Sequence, residues 1–131
     1  MRKLISTGAA VILLAAIAAF AAETARMKIT SSAFHEGGNV PSKFTCEGSD
    51  TSPPLQITGV PSGAQSLVLI ADDPDAPSGV FTHWLIWNIS PTTNSISEGN
   101  APKGVHGTND FGKSEYKGSV STVSAANVTP R

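Results

Sequence analysis

Two apolar segments separated by a proline-stiffened acidic turn constrain this chain more than anything else in it. Ser66-Leu67-Val68-Leu69-Ile70-Ala71 is a continuous apolar run of strand length, the pattern of a strand buried on both faces. Residues 81–89 alternate in part, with Phe81, His83, Leu85, Trp87 and Ile89 on one side and Thr82, Trp84, Ile86 and Asn88 on the other. Both sides are largely apolar, so this segment also reads as a central strand. Weaker strand signals lie at 27–30 and 55–60. A turn follows at 34–39, where Gly37-Gly38-Asn39 tolerates positive φ. Residues 47–54 form a loop of Gly, Ser, Asp, Thr and Pro, and residues 90–117 are mostly loop. No segment after residue 21 has the 3.6-residue apolar period of an amphipathic helix. The predicted class is all-β, with long ordered loops on a rigid sheet, where binding sites tend to sit.

The first 21 residues stand apart. Arg2 and Lys3 precede an apolar run over 9–20, and Ala19-Phe20-Ala21 supplies the small residues of a peptidase site. The run is too short to span a bilayer as a helix. It reads as a secretory signal peptide cut before Ala22, leaving a periplasmic or secreted domain over 22–118 and a tail over 119–131. The whole chain carries a formal charge of −1. Removing Arg2 and Lys3 makes the remainder more acidic, and no basic block survives in it. That argues against nucleic acid as a partner and against a polybasic membrane-surface protein, but not against a pocket for one small anion. The single cysteine, Cys46, rules out an intrachain disulfide. It reads either as a small buried apolar residue or as a cysteine lacking its partner.

Three clusters could carry chemistry. Asp72-Asp73-Pro74-Asp75-Ala76-Pro77 closes the first central strand. It fits an acidic turn capping backbone groups, a calcium loop of unusual spacing, or a pocket in which one carboxylate orients a neighbouring donor. His83, which begins the next strand, is either a packed, satisfied residue of an apolar strand or the candidate for that donor: a carboxylate on one ring nitrogen would fix the tautomer and favour the charged ring, and the other N–H would then face an anion. The third cluster is Gly107-Thr108-Asn109-Asp110-Phe111-Gly112 with Tyr116-Lys117-Gly118, an ordered loop that bonds its own backbone. No phosphate-cradling loop, nucleophile elbow or supported Cys–His pair is present.

Taken in order, these segments resemble the phosphatidylethanolamine-binding protein family, in particular its bacterial Raf-kinase-inhibitor-like branch. The resemblance rests on Phe44-Thr45-Cys46-Glu47-Gly48, then Asp50-Thr51-Ser52-Pro53-Pro54-Leu55, then Asp73-Pro74-Asp75-Ala76-Pro77. It continues through His83-Trp84 with Asn88-Ile89, and the glycine loop with Tyr116-Lys117-Gly118. It implies a Greek-key β-sandwich with a small surface pocket for phosphate, phospho-headgroups or carboxylates. By position it assigns Asp73 and His83 to the pocket, Ala76 and Pro77 to its rim, and Tyr116 and Gly118 to the start of a glycine-proline wall. No cofactor and no metal are implied, a protein partner is compatible with it, and inhibition of kinases or proteases is among the family's proposed roles.

The chain also departs from the family. Ile57 stands where the family usually has a tryptophan. After Gly118 the Pro-Cys-Pro-Pro wall, a second pocket histidine and further core elements are expected. The chain instead reads Ser119 to Arg131, poor in large apolar residues, with Val120 at the place of a second cysteine. The expectation is therefore a sandwich incomplete at its C-terminus, with 119–131 as solvated coil and the strand over 81–89 short of neighbours. The function expected is a non-enzymatic anion-binding protein. The alternatives are a truncated product without function and, less favoured for want of an activated nucleophile, a hydrolase using Asp73 and His83.

Overall fold

The computed structural model describes residues 27–118 and the backbone of 124–130. The leader expected over 1–21 and residues 119–123 of the expected tail lie outside the described residues. The described chain is nearly all β. Its strands are β1 (Lys28–Thr30), β2 (Leu55–Thr58), β3 (Leu67–Asp73), β4 (Phe81–Ile89), β5 (Ser95–Ile96), β6 (Val105–His106) and β7 (Ser124–Pro130), and one 3-10 turn covers Ser42–Phe44. They form two antiparallel sheets, ordered β1-β2-β5 and β6-β4-β3-β7.

β3 and β4 are the central strands of the larger sheet, as their apolar content predicts. β3 keeps the two-residue period: Leu67, Leu69, Ala71 and Asp73 are buried, and Val68, Ile70 and Asp72 are half-buried. β4 does not keep it. Between the Leu67–Ile89 and Leu69–Ile86 pairs it carries one residue more than β3, and again between Ala71–Trp84 and Asp72–Thr82. Asn88, at φ 58°, lies in the first irregularity, a backbone state that asparagine tolerates better than most side chains. His83 is the extra residue in the second. Such bulges reset which face a side chain meets. The expected alternation of Phe81, His83, Leu85, Trp87 and Ile89 is thereby corrected: Trp87 is exposed, and the neighbours His83 and Trp84 are both buried.

The two sheets share one core of Leu55, Ile57, Leu67, Leu69, Ala71, Trp84, Ile86, Ile89 and Ile96, with Met27, Ile29, Val60 and Tyr116 packed against it. Ile57 is buried in this core although it is smaller than the residue the resemblance implies there. Leu67, Leu69, Ile86 and Ile89 are the largest fully buried side chains, and each contributes roughly 1.5–3 kcal/mol by leaving water.

The tail differs from expectation. Instead of coil throughout, the backbone of 124–130 forms β7, antiparallel to β3 with Leu67 opposite Pro130 and Leu69 opposite Val128. The physical reason is that strand pairing is made by N–H and C=O groups, whatever the size of the side chains. The edge of β3 away from β4 presents a row of these groups. Pro130 falls at the strand's end, where a missing N–H is tolerated. Both central strands therefore have neighbours on either side. Cys46 also differs from the buried reading, since its thiol is exposed.

Candidate functional site

β3 and β4 are joined by the loop over 74–80, and the acidic segment forms the end of β3 and the first half of that loop. Asp73 is 3% exposed, and its Oδ1 accepts the Asp75 N–H at 3.0 Å. Gly79 N–H donates to the Ala76 carbonyl at 3.0 Å, closing the turn. The capping role considered for this segment is thus present in Asp73. Ala76 is half-buried and Pro77 exposed, which puts both on the outer surface of the hairpin. Among the described residues no three His, Cys, Asp or Glu side chains gather to hold a metal ion.

His83 is 4% exposed. Its Nδ1 lies 2.7 Å from the Lys117 carbonyl oxygen. A carbonyl only accepts, so Nδ1 carries the proton and donates it. The neutral ring is therefore the Nδ1–H tautomer, and Nε2 is the atom left to change protonation state. The sequence points to Asp73 as the group that orients this ring. At Nδ1 the orienting group is a backbone carbonyl from the 116–118 segment. Asp73 is close by in register: its cross-strand partner is Phe81, whose ring centroid is 5.1 Å from that of His83.

The 107–118 loop runs along the free edge of β4 and continues the pairing begun by β6. Gly107 N–H donates to the Leu85 carbonyl at 2.8 Å, Asp110 N–H to Thr82 at 3.0 Å, and Lys117 N–H to His83 at 3.2 Å. The Asp110 carboxylate accepts the Thr82 N–H at 2.6 Å in return. Asn109, buried, holds the loop from inside. Its Nδ2 donates to the carbonyls of His83 at 3.0 Å and Glu115 at 2.8 Å. Its Oδ1 accepts from Phe111 at 3.1 Å and Lys113 at 2.9 Å. This is the self-bonded loop that the bracketing glycines predict.

Tyr116 and Gly118 flank Lys117, the residue bonded to His83. Tyr116 donates its hydroxyl to the Phe44 carbonyl at 2.6 Å and sets its ring edge-on to Trp84 at 5.5 Å. Burial, with Asp50 nearby, pushes its phenol well above the ordinary tyrosine range. Gly118 is pressed so closely on the Phe44–Thr45 backbone that a Cβ there would collide with the Phe44 carbonyl.

Asp50 is the residue that sequence reasoning missed. At φ 55°, it accepts the Gly118 N–H on Oδ1 at 2.6 Å and the Lys117 ammonium on Oδ2 at 3.0 Å. This contact raises the lysine above its usual value. Asp50 lies inside a quoted motif, but nothing in its own neighbourhood signals a grip on a segment 68 residues away.

The structure thus gathers Asp73, Ala76 and Pro77 at the hairpin and Tyr116 and Gly118 on the 116–118 segment, to which His83 is bonded through Lys117. A separate cavity of about 370 Å³ lies between the 50–52, 99–101 and 114–116 segments. Of the predicted residues only Tyr116 lines it, and Trp84, whose buried Nε1 has no hydrogen-bond partner among the described residues, lines it too. Its size does not make it the candidate site, because neither Asp73 nor His83 borders it.

The family model described as phosphatidylethanolamine-binding protein matches residues 30–123. A UPF0098 protein of Archaeoglobus fulgidus is 45% identical over 128 residues, covering 88% of this chain and 44% of the relative. One from Methanothermobacter thermautotrophicus is 48% identical over 98 residues, covering 70% and 65%. The chain therefore spans less than two thirds of the length of these relatives. Among solved structures, a phosphatidylethanolamine-binding protein homologue from Chlamydia trachomatis superposes with a TM-score of 0.63 at 35% identity, covering 80% of this chain and 66% of that one. E. coli YbcL, described as a member of the mammalian family, gives 0.66 at 32%, covering 71% and 65%. With its motifs, its two-sheet fold and these likenesses in agreement, the chain belongs to the phosphatidylethanolamine-binding protein family.

Proposed function

We propose that this family member is a secreted or periplasmic binding protein whose pocket takes a small anion, a phosphate monoester or carboxylate, at the ring edge of His83. The observation that carries the reading is the commitment of His83 Nδ1 to the Lys117 carbonyl. Only Nε2 remains to gain a proton, and a doubly protonated ring offers that N–H and a positive charge to an anion. Asp73, Ala76 and Pro77 form the hairpin side of the site, and Tyr116 and Gly118 the opposite wall. At 4% exposure little of His83 is open to a ligand, which favours a compact anionic group over a bulky one. The family's description supports a small phosphorylated headgroup as ligand. An inhibitory role toward a kinase or protease would use the same pocket on a phosphorylated or carboxylate-bearing partner.

Binding rather than catalysis is proposed, because no hydroxyl or thiol nucleophile is held against His83 by any hydrogen bond among the described residues. The test is calorimetric titration with glycerol phosphate. The native protein should bind it at the His83 ring. His83→Ala should abolish binding. No binding by the native protein, or affinity retained in that variant, would overturn the site.

A further inference from the structure

An aromatic patch adjoins the proposed pocket, and the anion-binding reading gives it no role. Phe81, His83 and Phe111 are in mutual contact. The two phenylalanine centroids are 4.9 Å apart at 71°, those of Phe81 and His83 5.1 Å apart at 49°, and those of His83 and Phe111 5.7 Å apart at 58°. Phe111 is nonetheless 48% exposed. An isolated exposed phenylalanine means little, but this one is held in place. The residue before it is bonded to Thr82 through both its N–H and its carboxylate. Its own N–H is bonded to the buried Asn109. The residue after it is Gly112 at φ 72°, a conformation that suits glycine. The exposed ring is thus presented by a rigid loop beside the one imidazole of the pocket. A second flat group that docks there loses little freedom in the protein and gains an edge or face contact with Phe111.

We infer that this site selects phosphate monoesters of flat, aromatic alcohols over those of polar ones, with Phe111 as the specificity-determining residue. The inference rests on the anion-pocket reading. The phosphate would lie at the His83 ring edge, and the ester's aromatic ring would cover the exposed part of Phe111. Such ring pairs add on the order of ten-fold in affinity at most.

The experiment compares phenyl phosphate with glycerol phosphate on the full chain by calorimetry in one and the same buffer. The expected result is phenyl phosphate binding several-fold to about ten-fold tighter. In Phe111→Leu, which keeps an apolar side chain at an exposed position and is therefore expected to fold, the ratio of the two affinities should fall close to one. Equal affinities in the native protein, or a preference that survives Phe111→Leu, would overturn the inference while leaving the pocket standing. If neither ester binds, the pocket reading fails and takes this one with it.

Discussion

Tyr116 carries a prediction because it is the only tyrosine in the chain, so phenolate absorbance reports on it alone. Its hydroxyl is bonded to the Phe44 carbonyl, and burial holds its titration above the ordinary value of 10.0. The unfolded chain loses this proton near the ordinary value, whereas the folded chain keeps it to higher pH. The resulting stabilisation is fully present below about pH 10 and declines as pH rises from there toward the folded value, by up to about 1.4 kcal/mol per pH unit. A spectrophotometric titration with its midpoint at the ordinary value would show that the phenol is not enclosed. Tyr116→Phe should abolish the titration and cost about 1 kcal/mol in a urea melt, the worth of one neutral hydrogen bond. The edge contact with Trp84 should survive this change. Tyr116 and Gly118 were singled out only through the resemblance. Asp50, which holds Lys117 and Gly118 with both oxygens, was not legible, because the partners of a carboxylate at long range leave no local trace.

Among the elements, β3 and β4 were legible because long apolar runs have few other ways to be buried. The two-residue strands β5 and β6 were not, since such strands exist only where a longer partner offers its edge. The bulges in β4 were not legible either, and they are what bury His83 and Trp84 together. The 107–118 loop was legible as ordered from its bracketing glycines and its Asn-Asp pair, and the structure gives the mechanism: Asn109 satisfies four backbone groups at once. Asn109→Ala would leave several of these groups unpaired near the interior. The expected cost is about 3 kcal/mol, with faster hydrogen exchange at the Phe111 and Lys113 amides before global unfolding. A loss below about 1 kcal/mol, with protection unchanged, would mean that the edge contacts to β4 hold the loop without it.

At the scale of the whole molecule the leader expected over 1–21 bears on where the protein acts. Expressed in a bacterium, the chain should fractionate with the periplasm, and N-terminal sequencing should begin at Ala22. A product keeping Met1 in the membrane fraction would mean that 1–21 is an anchor. The sequence by itself determined the class. Turn-rich composition, the absence of helical periodicity and two apolar strands leave an all-β domain, because those features act through nearest neighbours and through burial of whole segments. The family was legible for a related reason, since its motifs are runs of adjacent residues. Tertiary structure alone decided three things. The backbone edge of β3 recruited residues 124–130 as β7, although their composition reads as coil. Register between β3 and β4 placed His83 in a bulge and so turned it inward. The return of the 107–118 loop along β4 set the Lys117 carbonyl, rather than a carboxylate, on His83 Nδ1. Each depends on which backbone groups lie opposite one another across strands distant in sequence, and that pairing is fixed only when the sheets assemble.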